Sequence, residues 1–404
     1  MAGTILVIGG GPAGTFAAIA AKRHDPSAAV VLLSEEPGEP YEKPPLSKAV
    51  LLGKVLPSDA PIAGPAGLAG HDVVLEAGAR CLAIDRAGGA IVLEHGRRLH
   101  YDTLVIATGS VVREVPHLPA GMPRVHYLRT EADAHALNAA LRQSRTLLVV
   151  GGGLIGLEVA ASAAELGVKT TVLEVAPRIL ARVCDEETGG IVEAAHRRHG
   201  IDLRVECAAV SAALEPDGQI TVLTTSGERL TANLVVVGTG AKPNDRLAAA
   251  AGLAIDDGIV VDEQCRTSDP AIFAAGDAVR FPGPHGPVRL ENWRHAQDQG
   301  GVAGRNAAGA HDIYSAVPSF WSEQYNLYIQ GVGWPVPGSV RVRRPLEGEA
   351  ALTFDISEGR LVYAMGINAQ RDLAAARRLI ERHVPVDPAA LADSTQPLAA
   401  MLKR

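Results

Sequence analysis

Thr4-Ile5-Leu6-Val7-Ile8-Gly9-Gly10-Gly11-Pro12-Ala13-Gly14 and Thr146-Leu147-Leu148-Val149-Val150-Gly151-Gly152-Gly153-Leu154-Ile155-Gly156 are two copies of one pattern, about 140 residues apart. Each is a continuous apolar run, as a strand buried on both faces requires. Each then enters Gly-x-Gly-x-x-Gly and an alanine-rich helical stretch. Glycines at that spacing permit a tight turn and let the amides of a helix N-terminus approach a pyrophosphate. Pro12 suits a first helical turn. One such loop is weak evidence and its surroundings must decide. A dinucleotide site also wants a carboxylate roughly 20 residues past the last glycine, ending the next strand, to accept ribose hydroxyls. Val30-Val31-Leu32-Leu33 leads to Glu35, 21 residues after Gly14, and Thr171-Val172-Leu173 leads to Glu174, 18 after Gly156. Both copies satisfy both conditions, so two dinucleotides are expected. Two in one chain point to a flavin reduced by a nicotinamide.

At 404 residues the chain has room for two or three domains. Hydrophobic residues make up 47% and aromatics only 4%, which suits parallel α/β layers filled by Ala, Val, Leu and Ile. A net charge of −7 argues against nucleic acid as a partner. The four cysteines, Cys81, Cys184, Cys207 and Cys265, are scattered without a Cys-x-x-Cys, and read as reduced thiols. Residues 147 to 168 are apolar enough to resemble a membrane span, but Glu158, Glu165 and the glycine turn fit a buried helix better. No basic segment precedes the first strand, so no signal peptide is read there. The expectation is a soluble cytoplasmic protein, monomeric or weakly dimeric.

Along the chain, Thr103-Leu104-Val105-Ile106 runs into Ala107-Thr108-Gly109, Leu234-Val235-Val236-Val237 into Gly238-Thr239-Gly240, and Ala271-Ile272-Phe273-Ala274-Ala275 into Gly276-Asp277. The economical topology is α/β: two Rossmann-like dinucleotide-binding domains, the second inserted in the first, plus a small C-terminal α+β domain. The boundaries expected are 1–112 with 242–316 for the first, 113–241 for the second, and 317–404 for the last. In the last, short alternating strands (Ala351 to Ile356, Leu361 to Ile367) precede an amphipathic helix near Arg371 to His383.

Tyr41-Glu42-Lys43-Pro44-Pro45-Leu46-Ser47-Lys48 resembles the Tyr-x-Arg-Pro-Pro-Leu-Ser-Lys signature of the FAD- and NADH-dependent ferredoxin reductases of bacterial oxygenase systems. Ala107-Thr108-Gly109, Gly276-Asp277, Glu291-Asn292-Trp293 and Phe320-Trp321-Ser322 match that family's flavin-proximal segments in the same order, and the resemblance covers essentially the whole chain. Lys43 stands where Arg is commoner, a point charge in place of a planar fork.

The glycine reading and the resemblance together imply the following. Gly9, Gly11, Pro12, Ala13 and Gly14 hold the FAD pyrophosphate, Glu35 the adenosine ribose, and Asp277 the ribityl chain or pyrophosphate. Lys43, Lys48, Ala107, Thr108, Gly109, Gly276, Asn292, Trp293 and Trp321 complete the flavin site. Gly151, Gly153, Leu154, Ile155, Gly156 and Gly240 hold NADH, and Glu174 accepts its ribose hydroxyls and repels a 2′-phosphate; Arg178, four residues on, leaves room for some use of NADPH. By resemblance, Lys48 pairs with Glu158, in the first turn of the second-unit helix, beside the hydride-accepting nitrogen, and Trp321 with Trp293 shields the flavin on the docking side. The Lys43 to Lys48 segment lacks the cysteine that disulfide reductases of the superfamily carry, so electrons leave the flavin edge directly, for a [2Fe–2S] ferredoxin and through it a terminal oxygenase.

Residues 318 to 404 carry 10 Lys/Arg against 9 Asp/Glu, and Arg341, Arg343, Arg344 or Arg294 are candidate contacts for an acidic ferredoxin. His196 and His199 have a helical spacing but no carboxylate or Cys partners, so they read as solvated helix surface and no metal is expected. Three readings stay open beside the leading one: a rubredoxin reductase, an NADH oxidase, and an NADH-sensing flavoprotein. Which ferredoxin, and whether a haem-thiolate monooxygenase or a Rieske dioxygenase lies downstream, are also open.

Overall fold

The computed structural model describes residues 3–403. The chain forms two compact units. The first comprises Met1–Lys43, Leu56–Val111 and Ala241–Ala316; the second comprises Pro44–Val55, Val112–Gly240 and Val317–Arg404.

The first unit is built on a parallel sheet ordered Ile272–Ala274, Thr103–Ile106, Thr4–Ile8, Ala29–Ser34, Val74–Ala77. Thr4–Ile8 pairs with Ala29–Leu33 on one side and Thr103–Ile106 on the other. Strand order therefore reverses at the glycine turn, where open α/β sheets bind ligands. An antiparallel meander, Cys81–Asp85, Ala90–Leu93 and Arg98–His100, is appended. The helix Pro12–His24 lies against the helix Trp293–Ala307 at backbone contact, because small residues line the crossing. A Cβ on Gly300 would sit 2.2 Å from the carbonyl oxygen of Ala13, and one on Gly304 2.0 Å from that of Ala17.

The second unit repeats the plan. Its parallel sheet runs Asp202–Arg204, Lys169–Leu173, Thr146–Val150, Leu234–Val237, Val125–His126, with its own meander at Ala209–Leu214, Ile220–Thr224 and Arg229–Ala232. The same unit contains an antiparallel sheet ordered Ser319–Gln324, Leu327–Gly333, Arg360–Ile367, Ala351–Ser357, Val340–Arg344. The helix Gln370–Glu381 buries Leu373, Ala376, Leu379 and Ile380 with Leu352 and Phe354 of that sheet. Its other face supplies Leu327, Ile329, Met365 and Ile367 to one core with Leu157, Val159 and Val192, and Leu51 joins the same cluster. That shared apolar core is why 317–404 and 44–55 group with the second dinucleotide segment, a coarser division than the three expected domains.

Two expectations about charged side chains are corrected. His196 is fully buried, because the face of the helix Glu186–Arg198 that carries it packs inward; only His199 remains exposed. Arg344 is buried and donates to the carbonyls of Leu391 and Gln396, Arg341 chelates Asp355 at 2.7 and 2.8 Å, and Arg343 pairs with Glu187. Arg294 pairs with Asp298 at 3.1 Å. Arg344 is thereby withdrawn from the surface, while Arg341 and Arg343 stay exposed, and Arg294 half-buried, beside their acids.

Two measurements follow. Gly304→Ala is expected to destabilise the protein by about 2 kcal/mol or more, since the backbone oxygen it meets has no rotamer to yield. Gly301→Ala meets only the end of the Arg305 side chain at 3.4 Å, and is expected to be neutral or slightly stabilising through helix propensity. Urea midpoints that rank the two the other way would refute the close-packed crossing. Burial holds His196 down at about 4 and His295 at about 3. Each binds its proton more readily in the unfolded chain. Their stabilisation is complete above about pH 6.5 and is lost as the pH falls towards those values, on the order of 3 kcal/mol for His196 and more for His295. The thermal midpoint should therefore fall between pH 7.5 and pH 5; a flat profile would contradict both assignments.

Candidate active site

The two glycine loops have matching stereochemistry. Gly9 and Gly151 adopt φ of +119° and +113°, and a Cβ on them would lie 2.2 Å from the Ala107 oxygen and 2.5 Å from the Gly238 oxygen. The same test on Gly14 and Gly156 gives 1.9 Å to the Gly9 oxygen and 2.1 Å to the Gly151 oxygen. First and third glycines are thus imposed by strand-to-helix packing. The middle glycines differ. Gly11 and Gly153 are the N-caps of Pro12–His24 and Leu154–Glu165, have extended backbone, and carry no side-chain cap. A Cβ on either would meet nothing within 4 Å. Two helix N-termini therefore open onto free space with their amides uncapped, which fits a pyrophosphate on each. Pro12 and Ala13 open the first helix, Leu154 and Ile155 the second, and Ile155 is 48% exposed.

Around the first loop, the Thr108 hydroxyl donates to the Asn244 carbonyl at 2.6 Å, and the Gly109 oxygen accepts from the Asn244 amide at 2.9 Å. Gly276, at φ +82°, donates its amide to Gln299 Oε1 at 2.8 Å. Ser110 Oγ donates to Asp277 at 2.9 Å, which orients that carboxylate at the strand's carboxyl end. Asn292 caps the helix it precedes by accepting the His295 amide, and the Trp293 ring meets Phe16 edge to face. Burial pushes the Glu42 carboxyl up. Lys43 is 2.8 Å from Glu36. Glu35 is exposed and faces Arg80 at 3.3 Å, while Glu36 receives the Tyr41 hydroxyl as well as Lys43.

Around the second loop, Glu174 accepts the amides of Gly152 at 2.7 Å and Ala176 at 2.8 Å, which places its carboxylate on the glycine turn. Arg178 donates to the carbonyls of Cys184 at 2.7 Å and Ala181 at 3.2 Å, so its guanidinium is committed to backbone. Gly240 has φ +102°, and its oxygen accepts the Arg113 amide.

Lys48 and Glu158 are joined at 3.0 Å, with Glu158 only 4% exposed. Glu158 is the fifth residue of its helix, one turn deeper than expected, because the helix begins at Leu154. Ser47 also donates to Oε2, and Ser322 donates to Oε1 at 2.6 Å. A buried carboxylate needs such donors. Neither serine was expected here; Ser322 lies 164 residues away in sequence, and only a polar residue on a buried strand face hinted at it. Strand alternation puts Trp321 on the face opposite Ser322. The four cysteines are free. Burial pushes the thiols of Cys81 and Cys184 up to about 11 and that of Cys265 further, away from the reactive thiolate. Among the described residues no cluster suits a metal ion, and no helix is long and apolar enough to cross a membrane.

Residues 3–300 match the pyridine nucleotide-disulphide oxidoreductase family, and residues 319–402 match the reductase C-terminal family. The chain belongs to these oxidoreductases. It is 39% identical over 404 residues to the ferredoxin–NAD(+) reductase component of the anthranilate 1,2-dioxygenase system of Burkholderia cepacia, covering 98% of each chain. It is 36% identical to rhodocoxin reductase of Rhodococcus erythropolis, covering 99% of this chain and 95% of that one. The crystal structure of the covalent putidaredoxin reductase–putidaredoxin complex matches with a TM-score of 0.93 at 32% identity, over 99% of this chain and 98% of the reductase. The protein is thus a reductase that takes FAD and NAD(H) as cofactors.

A carboxylate on the second glycine turn and an arginine turned away from it predict which nucleotide is used. The kcat/KM for NADH should exceed that for NADPH at least about 10-fold, equivalent to about 1.4 kcal/mol. A preference for NADPH in the unmutated enzyme would overturn the role given to Glu174.

Proposed function

We propose that the chain is the NADH-dependent reductase of an oxygenase system, passing electrons from NADH through FAD to a [2Fe–2S] ferredoxin. The observation that carries the reading is the pair of open, uncapped glycine loops in a chain whose four cysteines are unpaired. Two dinucleotides have sites, and sulfur has no part in the transfer. The named relatives, each matched along its length, support the ferredoxin as acceptor.

In this reading residues 1–112 and 242–316 hold FAD, 113–241 hold NADH, and 317–404 form the domain that carries Trp321. Bound FAD supplies chemistry the polypeptide lacks, since it accepts two electrons as a hydride and releases them singly. The chain's own residues do the rest. Gly11 and Gly153 leave the helix amides free for pyrophosphate, Glu174 selects the ribose, and Asp277 holds an oriented acceptor. Glu35, exposed beside Arg80, is free to turn to the adenosine ribose. Lys48, held by Glu158, supplies a cation for the charge that accumulates on reduction. Trp293 and Trp321 exclude water. The separate, reduced cysteines suit a cytoplasmic compartment.

Lys48→Ala is expected to slow anaerobic bleaching of the flavin by NADH about 10- to 100-fold while the FAD content stays unchanged. In the unmutated enzyme, cytochrome c reduction should depend on added [2Fe–2S] ferredoxin. Ferredoxin-independent peroxide formation as the main electron sink would sink the proposal.

A further inference from the structure

The Glu158 carboxylate is the end of a hydrogen-bond chain that reaches well beyond Lys48. Ser322 Oγ lies 2.6 Å from Glu158 Oε1, Gln324 Nε2 lies 3.1 Å from Ser322 Oγ, His196 Nε2 lies 2.7 Å from Gln324 Oε1, and the Tyr325 hydroxyl lies 3.3 Å from His196 Nδ1. Ser322, Gln324 and His196 are at most 1% exposed. The His199 ring, stacked on Tyr325 with centroids 3.7 Å apart, closes the chain at the surface.

Chemistry fixes the polarity of every link. A carboxylate only accepts, so Ser322 must spend its single proton on Glu158. The serine oxygen then needs a donor, which orients the Gln324 amide with its nitrogen towards Ser322. The amide oxygen in turn needs a donor, which requires His196 to carry its proton on Nε2. The bare Nδ1 then accepts from Tyr325. Burial keeps His196 neutral, in agreement with a single ring proton. All donors point one way, towards Glu158, and such aligned chains strengthen their members. An amide in the middle does not pass protons along, so the chain is a strut and not a proton wire.

The setting is otherwise apolar, with Leu157, Val159, Leu327 and Ile329 in the surrounding core. Polar groups there would be costly without a role that apolar packing cannot fill. We propose that Ser322, Gln324 and His196 are positioning residues that hold the Glu158 carboxylate, and through it Lys48, in the orientation used for NADH-dependent reduction. They also tie the strand Ser319–Gln324, which presents Trp321 on its other face, to the helix bearing Glu158.

The inference rests on the role proposed for the Lys48–Glu158 pair, and the test separates the two. Glu158→Gln, Ser322→Ala, Ser322→Thr and Gln324→Leu would be compared by stopped-flow bleaching of FAD with NADH, by NADH affinity, and by the 15N signature of His196. Glu158→Gln should slow bleaching at least about 10-fold. Ser322→Ala and Gln324→Leu should slow it about 3- to 10-fold with NADH affinity changed less than about 2-fold, and Ser322→Thr should restore it to within about 2-fold. In the unmutated protein His196 should show the Nε2–H tautomer and remain neutral at pH 5.5. Wild-type bleaching in Glu158→Gln would remove the underlying reading. Slow bleaching in Glu158→Gln with wild-type rates in Ser322→Ala and Gln324→Leu would overturn the inference alone. An Nδ1–H tautomer of His196 would overturn it even if those variants failed to fold.

Discussion

A strand can hand its chain to a helix at contact distance only where no side chain stands between them, and this constraint organises the molecule twice. Gly9 with Gly14, and Gly151 with Gly156, remove the Cβ atoms that would strike the neighbouring backbone. The helices then begin close to the carboxyl edge of each parallel sheet, at the point where strand order reverses. Gly11 and Gly153 are subject to no such pressure, and a Cβ on either would meet open space. Within each loop, the glycines imposed by packing are therefore separable from the one that packing leaves unconstrained. In the first unit the same device recurs where Gly300 and Gly304 bring a second helix onto Ala13 and Ala17.

The second organising feature is a charge kept inside. Glu158 is buried in the core shared by the second dinucleotide segment and the C-terminal sheet, and three donors reach it from two separated stretches, Ser47 and Lys48 from one and Ser322, with Gln324 behind it, from the other. Isolating a carboxylate in that setting is unfavourable by several kcal/mol, whereas a fully bonded one gives a single orientation. The cation of Lys48 is placed by this arrangement. Burial acts the other way on the thiols of Cys81 and Cys184, raising them away from the reactive thiolate. The chain belongs to a family named for disulphide chemistry, yet its four cysteines are unpaired.

Much of the architecture was legible because it depends on local pattern. Apolar runs ending in Gly-x-Gly-x-x-Gly marked both βαβ units, and period-two alternation marked Ala351–Ser357 and Arg360–Ile367. The Lys48–Glu158 pair was legible only through resemblance, since 110 residues separate its members. Other residues misled. Arg344 read as a surface charge beside Arg341 and Arg343, but it lies on the other face of its strand, buried against the carbonyls of Leu391 and Gln396. His196 looked solvated because its neighbours Arg197 and Arg198 are; its side chain lies on the helix's inward face, beside Gln324. Of the adjacent acids Glu35 and Glu36, spacing singled out the first, while the folded chain uses the second to bind Tyr41 and Lys43.

Sequence alone determined that two dinucleotide units follow one another in this chain and that its cysteines are scattered without a Cys-x-x-Cys, because short-range spacing and composition carry both facts. Tertiary structure alone decided which polar side chains converge on Glu158, that Arg344 is buried, and beside which glycines there is open space. Those outcomes depend on approaches between segments far apart in the chain, and on whether a given Cβ would meet backbone or open space, and no local pattern encodes such distances.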